Sequence, residues 1–332
     1  MDQFGGNSKI VPILEAYRLG CERDGEEAMH RRFEESAVRI LTNIFQAGLF
    51  ENPYLLIEES KEVVGCKEHC EKGVEAQKRS VVLLKNQGVL PLTGRGKAYV
   101  PDRHIEARKN FFRMPQPAVD LPGADKKALE KYLDIAATPE EADYALCFIE
   151  SPLSDGYDEQ EGYRPVTLQY RPYKAEAARE ESIAGGDFRE KERNRSYRGK
   201  TSKAFNESDL DLVIRAREAM GEKPVIVCIR MHNPCVLAEL EPYADAILVQ
   251  FGVQQDVLLD LITGRAEPSG LLPVQLPKDM ETVERHCEDL PMDMACYQDS
   301  AGNTYDYGFG LNWQGKITDA RTKKWGKEEM KK

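Results

Sequence analysis

Residues 79–92 read RSVVLLKNQGVLPL: an apolar run from Val81 to Leu84, then Lys85-Asn86, a turn at Gln87-Gly88, and Val89-Leu90-Pro91-Leu92. This stretch divides the chain. Before it the apolar pattern is helical. After it, strand-like and helix-like segments alternate.

Upstream, residues 26–47 carry Met29, Phe33, Ala37, Ile40, Leu41, Ile44 and Phe45 at steps of three and four. That spacing puts them on one stripe of an amphipathic helix. Gly48 follows, suited to the left-handed residue just past a helix end. Residues 60–80 are charged and read as helical. Downstream, Pro101, Pro115, Pro117 and Pro122 break any long element between 97 and 124, leaving short strands and loops. Ala142 to Ile149 reads as a buried strand ending at Glu150. Residues 150–207 form a polar excursion longer than an ordinary connection, and such loops are functional or disordered.

From Ser208 the alternation is regular. Ser208 with Asp211 resembles a capping box ahead of Leu210, Val213, Ile214 and Ala216, and Gly221 ends that helix. Pro224 to Ile229 is a β-branched buried strand. Asn233-Pro234 opens a short helix, with proline at its first position. Asp245 to Phe251 is a strand, Gly252 to Ile262 a helix closed by Gly264, and Leu271 to Pro277 a proline-flanked strand near an edge. Alternating strands and helices predict a mostly parallel sheet covered on both faces. No repeat of roughly 20 to 50 residues stands out.

Several segments resemble family 3 glycoside hydrolases. Residues 79–92 resemble the segment that joins that family's two catalytic domains. Gly48-Leu49-Phe50-Glu51-Asn52-Pro53-Tyr54 resembles the end of its first domain, a TIM-type barrel, and Asp2-Gln3-Phe4-Gly5-Gly6 resembles a loop from the barrel's last part. Ala244-Asp245-Ala246-Ile247-Leu248 with Gly252 resembles a strand and glycine-opened helix of its second domain. Glu267-Pro268-Ser269-Gly270-Leu271-Leu272-Pro273 resembles that domain's N/E-P-S-G-K-L-P turn, with Leu271 where lysine is common. Tyr305-Asp306-Tyr307-Gly308-Phe309-Gly310-Leu311 resembles its closing segment, with Tyr307 in a phenylalanine position.

The resemblance covers about residue 2 to about residue 315. It implies a six-stranded, mostly parallel α/β sandwich preceded by a helical barrel remnant. The expected divisions are a remnant at 1–59, an interdomain linker at 60–92, the sandwich at 93–316 and a charged tail at 317–332. A whole barrel needs roughly 200 residues or more, so only part of one is expected here.

The implied activity is hydrolysis of O-glycosyl bonds with retention, of the β-glucosidase kind. Retention needs two carboxyl groups about 5–5.5 Å apart. One attacks the anomeric carbon; the other, with its pKa raised, protonates the leaving oxygen. In the family the acid/base sits on a loop after a strand like 146–149, within an S-G-E-G-Y-D-R-like motif. The best local match puts Asp155 in that position, one methylene shorter than Glu. Glu159 and Glu161 are alternatives, and Glu150 is nearer the strand end. All four also read as ordinary loop charges until geometry decides. The family's nucleophilic Asp belongs to an S/T-D-W-like motif that does not occur here, so the chain alone is expected to be inactive. A carbohydrate substrate is implied. The stripe on 26–47 is expected to dock a separate barrel or a second copy.

Other chemistry is not indicated. The net charge is −11 with 41% apolar and 31% charged residues, which argues against nucleic-acid or acidic-membrane binding. The cations at Arg189, Lys191, Arg193, Arg195, Arg198 and Lys200 are interrupted by Glu190 and Glu192, with only Phe188 and Tyr197 as aromatics. They read as a solvated or interdomain loop. Eight scattered cysteines make no disulfide framework. Cys147 and Cys228 read as buried small hydrophobes. Cys66-Lys67-Glu68-His69-Cys70 lacks a second cluster at zinc spacing, so no metal is expected, nor any other cofactor. Gly94-Arg95-Gly96-Lys97 has the wrong glycine spacing for a phosphate loop, and Ala98 replaces its Ser/Thr. No basic and apolar leader opens the sequence, and no apolar run of about eighteen residues occurs. A cytoplasmic location is the resulting expectation.

Overall fold

The computed structural model describes residues 2, 9–109, 114–182, 193–286, 290 and 292–325. Asp2 is thus described, but the rest of the expected barrel loop at 3–6 lies outside the described residues, as do Phe188, Arg189, Glu190, Lys191, Glu192 and Cys287. The chain forms two compact units, 1–71 and 72–332.

The first unit is helical: α1 (Val11–Asp24), α2 (Glu26–Gln46), α3 (Ile57–Val63) and the start of α4 (Lys67–Ser80). The helix α2 covers the predicted amphipathic stretch, and Gly48 takes a φ of +66°, the left-handed conformation that ends helices. The rings of Tyr17 and Phe33 meet edge to face at 5.1 Å between centroids. No residue of α2 is buried. Val38, Leu41, Phe45, Phe50, Tyr54, Leu55, Leu56 and Ile57 are all exposed.

The second unit is built on one sheet, with the short helix α5 (Lys126–Leu129) packed into one of its cores through Leu129. Its strands are β1 (Val82–Asn86), β2 (Lys97–Tyr99), β3 (Asp134–Ile135), β4 (Tyr144–Glu150), β5 (Val225–Arg230), β6 (Ala246–Gln250), β7 (Leu311–Asn312) and β8 (Gly315–Lys316). Their spatial order is β8-β7-β1-β6-β5-β4-β2-β3. Strands β3, β2, β4, β5 and β6 pair in parallel. β1 pairs antiparallel with β6, and the two-residue strands β7 and β8 extend the sheet beyond it. The first six strands are the expected six-stranded, mostly parallel sheet.

Alternation along each strand explains the continuous apolar runs. Val82, Leu84, Cys147, Ile149, Val227 and Ile229 face one core, with Leu210, Val213, Ala216 and Met220 of α6 (Glu207–Met220). Val81, Leu83, Leu146, Ile226, Cys228 and Leu248 face the other, with Leu258, Leu259, Leu261 and Ile262 of α7 (Gln255–Ile262). Both faces are therefore covered, which a parallel sheet requires. Burial pushes the Cys147 thiol up to about 12, in keeping with its expected role as an inert core residue.

Some expectations differ from the structure. Residues 82–86, read as part of a linker, are a strand in the sheet's interior, between β7 and β6. Residues 271–277 form no strand. Pro273 and Pro277 lack amides to donate, and the segment bonds only at intervals, Leu272 to the Phe309 carbonyl and Leu276 to that of Tyr305. No helix begins at Asn233-Pro234; the first turn is a 3₁₀ turn at Leu237–Glu239. α6 starts one residue before Ser208, whose hydroxyl bonds the His104 carbonyl instead of capping. The expected tail at 317–332 begins folded: Ile317 is buried, and a capping box joins Asp319 and Thr322 at the start of a short helix, Ala320–Lys324.

Candidate active site

The parallel strands β2, β4, β5 and β6 end at one edge of the sheet. In such sheets ligands bind in the crevice outside the carboxyl ends of the strands. The connection after β4 is the long one. It leaves Glu150, runs through 151–155 and turns back as a hairpin in which Tyr157–Asp158 pairs with Gly162–Tyr163. Asp158 Oδ1 accepts from the amides of Gln160 and Glu161 at 2.9 and 3.0 Å, which closes the hairpin turn. Gly162 supplies the φ of +73° that the return requires.

Asp155, Glu159 and Glu161 line a single open cavity of about 840 Å3. Its wall also carries Glu106, Asp158, Arg164, Lys200 and Lys203, with Tyr157 and Phe205 as its aromatic surfaces. Asp155 stands on the exposed side of the loop's root. Glu161 pairs with Arg164 at 2.8 Å at the hairpin tip, and its carbonyl accepts from the Lys200 ammonium. Lys203 lies 3.2 Å from Glu106 and 2.9 Å from Glu207. The cavity is mixed in charge with an acidic excess. Among the described residues, no group of three or more His, Cys, Asp or Glu side chains is arranged to hold a metal.

Glu150 is placed differently. It ends β4 and is not among the residues lining the cavity. Its carboxylate lies 3.4 Å from Arg103 Nη2, 3.4 Å from His232 Nε2 and 3.8 Å from Arg230 Nη1. Burial would raise its pKa, but Arg103 and His232 outweigh burial and hold it below the usual carboxylate range. A general acid needs the opposite shift. Glu150 thus anchors the root of the loop.

That root is held by a buried polar network. The guanidinium of Arg103 donates to both oxygens of Asp209, at 2.8 and 2.7 Å. Tyr170 Oη donates to the Glu150 carbonyl at 2.8 Å. Ser151 Oγ accepts from the amides of His232 and Asn233, at 2.9 and 3.3 Å. His232-Asn233 therefore lies beside the site, at the carboxyl end of β5.

Glu106, Arg103, Asn206 and Asp209 were not reached from the sequence. Glu106 and Arg103 come from the proline-broken region after β2, where nothing local marks them. Asp209 did leave a trace. It sits at i, with Val213, Ala216 and Met220 at i+4, i+7 and i+11. A carboxylate on the apolar stripe of a helix is a signal for a buried partner.

With this geometry in place, the chain's relatives bear on its meaning. The family model described as the glycosyl hydrolase family 3 C-terminal domain matches residues 81–313. The chain belongs to glycosyl hydrolase family 3 and contains its C-terminal domain. It is 29% identical over 325 residues to a probable beta-glucosidase C of Aspergillus flavus, covering 97% of this chain and 40% of that protein. It is 26% identical over 311 residues to a periplasmic beta-glucosidase/beta-xylosidase of Dickeya chrysanthemi, covering 94% of this chain and 38% of that protein. Among solved structures, a Listeria innocua beta-glucosidase in complex with gluconolactone shares the fold, with a TM-score of 0.50 and 16% identity, over 92% of this chain and 42% of that one. The chain thus spans about two fifths of the length of the curated relatives it matches.

Proposed function

We propose that this chain is the acid/base-bearing half of a retaining, β-glucosidase-type hydrolase, whose nucleophile comes from a barrel domain outside residues 1–332. The observation that carries this is the convergence of Asp155, Glu159 and Glu161 on one cavity beside the carboxyl end of β4. Asp155 is the preferred acid/base. It stands at the anchored root of the loop, whereas Glu159 and Glu161 belong to the hairpin tip and Glu161 is engaged by Arg164. In the first step its carboxyl would protonate the leaving glycosidic oxygen. In the second, as carboxylate, it would take a proton from the water that releases the sugar from the nucleophile. No cofactor enters this chemistry. The carbohydrate substrate, a β-glucoside or oligosaccharide, would be held mainly by the barrel.

The test is kinetic. The purified chain is expected to leave an aryl β-glucoside untouched, and joined to a nucleophile-bearing family 3 barrel it is expected to hydrolyse it. In the joined protein Asp155→Ala should slow turnover by about 10²–10⁴-fold. Turnover by the chain alone, abolished by Asp155→Ala, would overturn the division of roles. A full-rate Asp155→Ala protein disabled by Glu159→Ala or Glu161→Ala would move the proton to that residue.

The exposed apolar side chains of unit 1 favour a second, compatible role. A large contiguous apolar surface marks a partner site. The partner proposed is the same barrel, since the 48–54 segment resembles the end of that domain.

A further inference from the structure

We infer that Asn206 and Asp209, at the start of α6, are positioning residues for the loop that carries Asp155; the inference rests on the proposed role of that loop in proton transfer. Asn206 occupies the N-cap of α6. Asparagine is favoured there because its side-chain oxygen accepts from an amide of the helix's first turn. Asn206 makes no such bond. Its Oδ1 accepts from the Leu153 amide at 2.9 Å, while the two hydrogens of Nδ2 are shared among the carbonyls of Glu150 and Ser151, at 3.0 and 3.1 Å, and Asp209 Oδ2, at 2.9 Å. Asp209 also looks outward from its helix, accepting from Arg103 and from the Glu150 amide at 3.2 Å.

Both side chains are withdrawn from water, Asn206 at 1% exposure and Asp209 at 0%. Every polar atom they carry is spent on chain segments other than α6 or on each other. A helix start serving stability alone would keep its cap. This one gives the cap up to grip residues 150–153, just before Asp155. The grip has support on either side. The Phe205 amide donates to the Leu153 carbonyl at 2.7 Å, and the Thr167 amide donates to Ser154 Oγ at 3.0 Å. Proton transfer to a leaving oxygen demands hydrogen-bond reach, and small displacements are costly. A short aspartate needs its loop root fixed more than a longer glutamate would.

Asn206→Ser tests this, because serine caps helices well yet is too short to make Asn206's set of loop contacts. In the full chain, amide exchange over 151–156 should accelerate at least about tenfold, the loss of one net hydrogen bond, while the amides of β5 exchange as before. Unchanged exchange in the loop overturns the inference, and so does equal acceleration throughout β5. In the chain joined to a nucleophile-bearing barrel, Asn206→Ser should lower kcat/KM about tenfold or more for a methyl β-glucoside, whose leaving group needs a proton. It should change that for a 2,4-dinitrophenyl β-glucoside little. Equal losses on both substrates overturn the positioning role. If Asp155→Ala shows no such dependence on the leaving group, the assignment of Asp155 fails, and the exchange result still decides the grip on the loop.

Discussion

At the scale of single residues, buried charge sets the behaviour. Lys85 and Glu241 are both almost fully buried, with Nζ 2.5 Å from Oε1. Ser300 Oγ donates to the same carboxylate at 2.8 Å and Tyr297 Oη at 3.2 Å. Removing one partner of such a pair leaves an uncompensated charge, so Lys85→Ala is expected to cost about 3–5 kcal/mol in urea unfolding. A loss under 1 kcal/mol, as exposed pairs give, would refute this reading. The same group predicts part of the acid response. Burial raises the pKa of Glu241, but Lys85 and Ser300 outweigh it and hold it below 4.5. A carboxylate with a depressed folded-state pKa stabilises above its unfolded value, and that contribution is lost as pH falls through the folded value. The pair's stabilisation should therefore fade below about pH 4.5. Glu284 has the opposite sign. Burial raises its carboxyl, against the Tyr197 hydroxyl. Its contribution is greatest below pH 4.5 and is lost as pH rises through the folded value. Glu284→Gln is thus expected to raise Tm at pH 7 and leave it unchanged at pH 4; equal shifts at both pH values would exclude titration as the cause.

At the scale of elements, two glycines of the recognised motifs have a packing reason. A Cβ on Gly270 would stand 2.3 Å from the Val81 carbonyl oxygen, and one on Gly310 would stand 2.2 Å from that of Gly270. Backbone lies against backbone here: the Gly270 amide donates to Val81 at 3.1 Å. The three motifs at 79–92, 267–273 and 305–311 thus meet in one stacked contact at the start of β1. Gly270→Ala is expected to destabilise by about 1–3 kcal/mol or more, because neither neighbour is a side chain that could turn aside. A neutral effect in thermal unfolding would show that the contact relaxes. Helix α2, β4, β5 and β6 were legible because each is a long, strongly periodic or continuously apolar segment. Residues 82–86 were not placed, because an apolar run fits a strand and an apolar link equally well. The 271–277 segment failed as a strand because its prolines remove the donors a ladder needs.

At the scale of the whole molecule, the first unit carries many exposed apolar side chains. Tyr54 is 80% exposed and Leu55 86%, in a stretch with many apolar neighbours. Surfaces of this kind associate. The double variant Leu41→Glu/Phe45→Glu is expected to abolish capture of a nucleophile-bearing family 3 barrel in a pull-down. By light scattering it should also dissolve any oligomer of the chain alone. Undiminished barrel capture would show that the apolar face is not the docking surface. No helix among the described residues is long and apolar enough to cross a membrane.

By itself the sequence determined the family and the covered sheet, and it pointed to the 150–164 loop that is proposed to carry the acid/base. These follow from local pattern: apolar runs, glycine-bearing turns and the match of ordered motifs. Only the tertiary structure decided that Glu150 is an ion-pair anchor while Asp155, Glu159 and Glu161 share a cavity. It alone showed that Asn206 abandons its helix for Leu153, 53 residues away. The physical reason is that a carboxylate's role depends on burial and on the charges around it. Those partners come from the short strand Arg103–Ile105 after β2, the start of α6 and the end of β5, segments that are remote in the chain and meet only when the sheet forms.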